Sequence, residues 1–126
     1  MVRGMRTILV ADENPGDRAL LTWLLRARGY DVIACADGRE ALASALERRP
    51  DVALLETVLP YRSGFEVLSA MRRHRRLRRT AVFLATSLAH AGGGDEDAWR
   101  ARTNADGVLF KPYGIDDLVA RFEARA

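Results

Sequence analysis

Short apolar runs recur along the chain, each stopping abruptly at polar residues and each followed by a helical pattern. From Thr7 the sequence reads TILVA and breaks off at Asp12-Glu13-Asn14-Pro15-Gly16, as a buried strand opening into a loop would. Asn14 can cap a helix and Pro15 can take its first position; Leu20, Leu21, Leu24 and Leu25 then recur at helical spacing until Gly29 ends the element. YDVIACA, residues 30–36, is a second strand, and Asp37 with Glu40 has capping-box spacing before a helix carrying Ala41, Leu42, Ala45 and Leu46, closed by Pro50. DVALL, residues 51–55, is a third run ending at Glu56, and Ser63 with Glu66 repeats the capping box before a helix bearing Phe65, Leu68 and Met71. AVFLA, residues 81–85, is the fourth strand. It leads through Thr86-Ser87 and the triplet Gly92–Gly94 to Asp95, Glu96 and Asp97, which open a short, poorly amphipathic helix. Gly107–Phe110 is the fifth strand, stopped by Lys111-Pro112, and Ile115, Leu118, Val119 and Phe122 mark a last helix with one apolar face.

Strands that read as continuous apolar runs and alternate with helices predict a parallel sheet covered on both faces. Right-handed crossovers then leave few topologies. The expected fold is a doubly wound (βα)5 of flavodoxin-like type with strand order 2-1-3-4-5, whose site lies at the carboxyl ends of the first and third strands. Those ends carry Asp12, Glu13 and Glu56. A length of 126 residues predicts one domain over 1–126 with no output domain. No run approaches the ~18 apolar residues of a membrane span, and acidic residues come too early for a secretory signal, so a cytoplasmic protein is expected. The single cysteine, Cys35, excludes an internal disulfide framework and reads as core.

Charge adds one localised feature. Residues 71–79, MRRHRRLRR, hold six arginines, and without them the formal charge would fall from +3 to −3. Such a run can bind phosphate backbones, but it has no interleaved aromatic residue to stack on bases; it is read as a solvated helix end with cations near the negative pole of the dipole. A nucleic-acid module using residues 72–79 is the weaker alternative. The other basic residues are also arginines, except one: Lys111 is the sole lysine.

Three carboxylates at one end of a sheet repel one another unless a cation, a shared proton or solvent intervenes. Mg²⁺ suits oxygen ligands such as Asp12, Glu13 and Glu56, and Lys111 at the fifth strand's end offers a fixed ammonium. Thr86 ends the fourth strand. A hydroxyl and an ammonium beside carboxylates are what a phosphoryl group requires. No glycine-rich phosphate loop follows the first strand and there is no Ser-His-acid set, with His74 and His90 placed far from the acids; an enzyme is not expected. A flavin phosphate would be repelled by the acidic ENPGD loop.

On these residues the sequence resembles the receiver domain of two-component response regulators. ILVADEN matches the strand with paired acids, DVALLETVLPYRSG the phosphoacceptor strand with its Leu-Pro and Gly, LATS the hydroxyl-bearing strand end, and Lys111-Pro112 the Lys-Pro pair. ENPGD with Thr86-Ser87 is similar to single-domain receivers found beside phytochrome-type kinases. The resemblance implies Mg²⁺ held by the acids, an aspartate acceptor for phosphate from a histidine kinase, and Thr86 and Lys111 as phosphate contacts.

Three departures matter. Glu56 stands at the acceptor position, and its extra methylene carries the carboxylate forward by about one C–C bond, roughly 1.5 Å; misplacement by about 1 Å can cost roughly 100-fold in an in-line reaction. Glu13 stands where the second metal-binding aspartate is expected, so two ligand positions are lengthened and Mg²⁺ is disfavoured; no cofactor is required. Val108 replaces the aromatic switch residue. The expected function is therefore an atypical, phosphorylation-independent receiver that acts by protein contact, in which Glu56 supplies a permanent negative charge that Lys111 can pair. Its face of fourth helix, fifth strand and fifth helix would serve a histidine kinase, another signalling protein or a homodimer. A still-switchable acceptor is the alternative.

Overall fold

In the computed structural model, which describes residues 6–87 and 95–125, five strands alternate with five helices. The order along the chain is β1 (Thr7–Ala11), α1 (Pro15–Ala27), β2 (Asp31–Cys35), α2 (Gly38–Arg48), β3 (Val52–Glu56), α3 (Gly64–Arg73), β4 (Ala81–Thr86), α4 (Glu96–Thr103), β5 (Gly107–Phe110) and α5 (Ile115–Ala124). All neighbouring strands are parallel and their spatial order is β2-β1-β3-β4-β5, as the sequence predicts. His90 and Gly92–Gly94 lie outside the described residues.

Alternation along each strand divides the core into two layers. Ile8, Val10, Val52, Leu54, Phe83 and Leu109 point to the side of α1 and α5, where Phe83 meets Phe122 at 5.2 Å between ring centroids. Leu9, Ala53, Leu55, Val82, Leu84 and Val108 point to the side of α2, α3 and α4. Each fully buried large side chain contributes about 1.5–3 kcal/mol relative to exposure, which is why the sheet needs both helical layers.

The helix starts follow the sequence grammar. Asn14, Asp37 and Asp95 each accept a backbone N–H from the first turn, and Ser63 and Glu66 form a reciprocal capping box. Two expectations change. Leu20 is expected on the inner stripe of α1 but is 57% exposed; burial in this helix falls on Leu25, with Leu21 and Leu24 half-buried. The arginine run is not one helix end: α3 stops at Arg73, His74 is extended, and a separate 3-10 turn covers Arg75–Leu77. Leu77 is fully buried and anchors that turn.

Edge strand β5 is protected by side chains. Glu96 accepts the outward N–H of Val108 at 2.9 Å and forms an ion pair with Arg121, so α4, β5 and α5 are tied at one point. One outward donor of the edge is thereby occupied. Aromatic packing reinforces the region: Trp99 stacks on Phe65 at 5.7 Å and meets Phe110 edge-on at 6.3 Å.

Two glycines are required by space. A Cβ on Gly64 would lie 2.1 Å from the Glu56 carbonyl oxygen, and one on Gly38 would lie 1.9 Å from that of Arg62, so the β3–α3 loop is folded tightly over the end of β3 and the start of α2. Gly64→Ala is expected to destabilise by about 2–3 kcal/mol in urea unfolding, while Gly114→Ala, where nothing lies within 4 Å, should stay within about 0.5 kcal/mol. Burial pushes the Cys35 thiol up to about 11, partly offset by a hydrogen bond with Ser44. Native Cys35 should therefore resist alkylation at neutral pH and react at an ordinary rate once unfolded. The raised value means that protection of the protonated thiol favours the folded state fully below pH 9.0 and is lost as pH rises toward about 11.

Candidate functional site at the carboxyl end of the sheet

The parallel sheet brings the ends of β1, β3, β4 and β5 to one edge. Register places Leu55 beside Ala11 and Glu56 beside Ala85, with Thr86 beside Phe110 in the next pair. Asp12, Glu56, Thr86 and Lys111 are thus delivered by four neighbouring strand ends, and each has a definite local partner.

Asp12 is 7% exposed. Its backbone N–H donates to the Cys35 carbonyl at 3.0 Å and its Oδ1 accepts the Asn14 N–H at 2.9 Å. Arg18 donates to the Asp12 carbonyl at 2.8 Å, pinning α1 to this turn. Glu13 is exposed. Glu56 is the last residue of β3, and its carboxylate forms an ion pair with the ammonium of Lys111, the side chains being 13% and 29% exposed respectively. The Lys111 backbone N–H donates to the Thr86 carbonyl at 2.9 Å, and the Lys111-Pro112 peptide is cis. Among the candidate residues, then, Lys111 engages Glu56 directly.

Thr86 is fully buried and its hydroxyl accepts from that of Thr57 at 2.9 Å. Sequence reasoning passed over Thr57, the residue after Glu56. Its signal was available: a hydroxyl one residue past the end of β3, next to the strand that ends in Thr86. Val108 is 1% exposed in the core layer beside Trp99. The aromatic side chains of this region come instead from Trp99 and Phe110, which sequence reasoning also missed because α4 looked poorly amphipathic.

The three acids share the carboxyl end of the sheet, but their side chains turn to different partners. Among the described residues no group of three or more His, Cys, Asp or Glu side chains is placed to hold a metal ion. Glu56 is turned to Lys111, an Asp12 oxygen is occupied by a backbone donor, and Glu13 faces solvent.

Beside the acids a cleft of about 450 Å³ runs between α1 and the start of α5, lined by Asp12, Leu20, Leu24, Lys111, Tyr113 and Ile115. Burial, with the charges of Asp12 and Asp17, pushes the Tyr113 phenol up to about 12, so it stays protonated and neutral beside the acids. His74 caps the far end of α3, at the opposite edge of the sheet. No described helix is long and apolar enough to cross a membrane.

Comparison with known proteins agrees with this geometry. The DNA-binding response regulator MtrA of Mycolicibacterium smegmatis is 33% identical over 118 residues, covering 94% of this chain and 49% of that protein. The DNA-binding dual master transcriptional regulator RpaA of Synechocystis is 32% identical over 120 residues, covering 95% and 48%. The chain spans about half the length of the curated relatives it matches. Among solved structures, the chemotaxis response regulator CheY4 of Vibrio cholerae superposes with a TM-score of 0.83 at 27% identity, covering 97% of this chain and 99% of that one. The receiver domain of sensor histidine kinase PA1611 from Pseudomonas aeruginosa, a structure with magnesium in its active-site cleft, gives 0.85 at 26% identity, covering 96% and 97%. The pattern of the response regulator receiver domain matches residues 8–123, and the chain belongs to that family of two-component signalling modules.

Proposed function

We propose that the chain is an atypical receiver that works without phosphorylation and signals by protein contact. The ion pair between Glu56 and Lys111 is the observation that carries this. At the end of the central strand a permanent carboxylate faces the ammonium that would otherwise be available to an incoming phosphoryl group. Glu56 is taken as the phosphoacceptor equivalent, and Thr86 and Lys111 as the equivalents of the phosphate contacts.

Other features support the same conclusion. The Thr86 hydroxyl already accepts from Thr57. Asp12, Glu13 and Glu56 are not arranged as metal ligands, which leaves the charge of an attacking phosphodonor uncompensated. Val108 has no ring to swing, and its N–H is held by Glu96. The contact surface proposed is α4, β5 and α5, serving a histidine kinase, another signalling protein or a second copy. Those three elements are fastened together by Glu96 and Arg121, so the surface is presented as one body.

The decisive experiment is intact-mass analysis after incubation with a small acyl phosphate and Mg²⁺, read promptly. Wild type is expected to stay unmodified, Glu56→Asp to label weakly, and Glu13→Asp combined with Glu56→Asp to label strongly. A phosphoryl adduct on wild-type Glu56 would overturn the proposal in favour of a switchable receiver. The pair itself can be weighed by a double-mutant cycle. Lys111→Met should destabilise by about 2 kcal/mol, below the range for fully buried pairs because Lys111 is partly solvated, and Lys111→Met with Glu56→Leu should recover most of that loss in urea unfolding.

A further inference from the structure

The arginine run takes no part in the carboxyl-end site and gathers at the opposite edge of the sheet. Because Leu77 is the buried residue of the 3-10 turn, Arg75, Arg76, Arg78 and Arg79 remain exposed around it. The turn lies against the left-handed end of α2 at Arg49, whose φ is 45°, and the Thr80 hydroxyl donates to the Pro50 carbonyl at 2.7 Å. Two adjoining hollows result, sharing Arg78, Arg79 and Thr80. One, of about 430 Å³, extends to Arg49, Arg75 and Arg76; the other, of about 580 Å³, extends to Arg72, Arg100 and Arg125.

Arginines outnumber acids at this pole. Asp51, the acid in the first hollow, accepts the Thr7 N–H at 2.8 Å. Asp106 bridges Arg72 at 2.7 Å and Arg125 at 2.5 Å and also accepts the Val82 N–H at 2.7 Å. Among the described residues Arg49, Arg75, Arg76, Arg78 and Arg79 pair with no carboxylate. Five guanidinium groups from the end of α2 and the α3–β4 connection therefore line one hollow with a single acid, Asp51, and no ion pair among the described residues, and Asp106 holds two more arginines in place beside them.

The surroundings select among anions. Guanidinium forks match phosphate oxygens in two-point geometry, and two hollows with a common rim suit successive phosphates of one backbone. The exposed large apolar side chains, Leu20, Trp23, Val58 and Tyr61, lie on α1 and the β3–α3 loop. Among the described residues the pole thus offers nothing to insert into a bilayer and no ring on which an unpaired base could stack. We propose that this amino-end pole binds double-stranded nucleic acid through its phosphate backbone, without reading bases. The arginine run is then a binding surface and not the solvated helix end expected from the sequence.

The test is fluorescence anisotropy of a labelled duplex of random sequence with the full chain across a salt series. With about five phosphate contacts the log–log slope should be near −4.5, a loss of roughly 500-fold between about 50 and 200 mM salt. Replacing Arg75, Arg76, Arg78 and Arg79 by Gln should reduce the slope to about −1 and weaken low-salt binding more than about tenfold, with the urea midpoint unchanged. Arg39→Gln with Arg62→Gln, removing exposed arginines from the carboxyl-end side, should bind as wild type. Absence of wild-type binding at low salt, a flat salt dependence, equal affinity of the quadruple variant, or equal loss in the Arg39/Arg62 variant would each overturn the proposal. So would tighter binding to single strands, or binding to phosphatidylserine vesicles without binding to duplex.

Discussion

The direction of a parallel sheet governs the rest of this molecule. Five strands running the same way place every carboxyl end at one edge and every amino end at the other, and each connection must cross the full height of the sheet. One edge therefore collects Asp12, Glu56, Thr86 and Lys111. The other collects the end of α2, the α3–β4 connection and the end of α5, with their arginines. Neither grouping depends on closeness in sequence: Lys111 meets Glu56 only because β4 separates β3 from β5 in the sheet by a single strand.

A carboxylate at the end of a central strand needs a partner, since a half-buried charge without one is costly. Here the partner is internal. The ammonium of Lys111 answers Glu56, one hydroxyl answers another across Thr57 and Thr86, and a backbone N–H answers Asp12. The edge that could receive a ligand is thus satisfied largely by its own residues. Gly64 closes over the same spot, with no space for a side chain above the Glu56 carbonyl. The geometry that brings the acids near one another also supplies what holds them still.

Most of the fold was legible in the sequence because its signals are local and mutually consistent: apolar runs of strand length, caps at Asn14, Asp37 and Ser63, and Gly29 with φ of 91° at the end of α1. The candidate site was legible as a set of strand-end residues, because a parallel sheet converts strand ends into neighbours. Its wiring was legible in part: Lys111 stands out from the sequence as a partner for the permanent charge of Glu56, and the two do pair, but that Asp12 and Glu13 turn elsewhere depends on side-chain direction, which spacing does not encode. The Trp99 stack was hidden for a similar reason: α4 carries a single buried residue, so periodicity had nothing to repeat. The arginine run was legible in part: Arg72 and Arg73 do lie in the last turn of α3, but the rest leaves the helix. One apolar residue, Leu77, needed burial, and the chain left the helical path after Arg73 to achieve it.

The pairing of Glu56 with Lys111 also bears on what kind of fixed state the proposed receiver would hold. The ion pair is neutral overall, whereas a phosphoryl group brings about −1.5 to −2 charges at neutral pH. Glu56 is then poorly described as a mimic of a phosphorylated aspartate, because its charge is cancelled where it arises and projects little field toward α4 or β5. Any bias on that face must come from contacts made there. Those are the Glu96 carboxylate on the Val108 N–H, its ion pair with Arg121, and the packing of Trp99 between Phe65 and Phe110. They join α4, β5 and α5 directly. With a valine at position 108, the proposed contact face is set by its own fastening, and the carboxyl-end pocket and that face become separate structural problems.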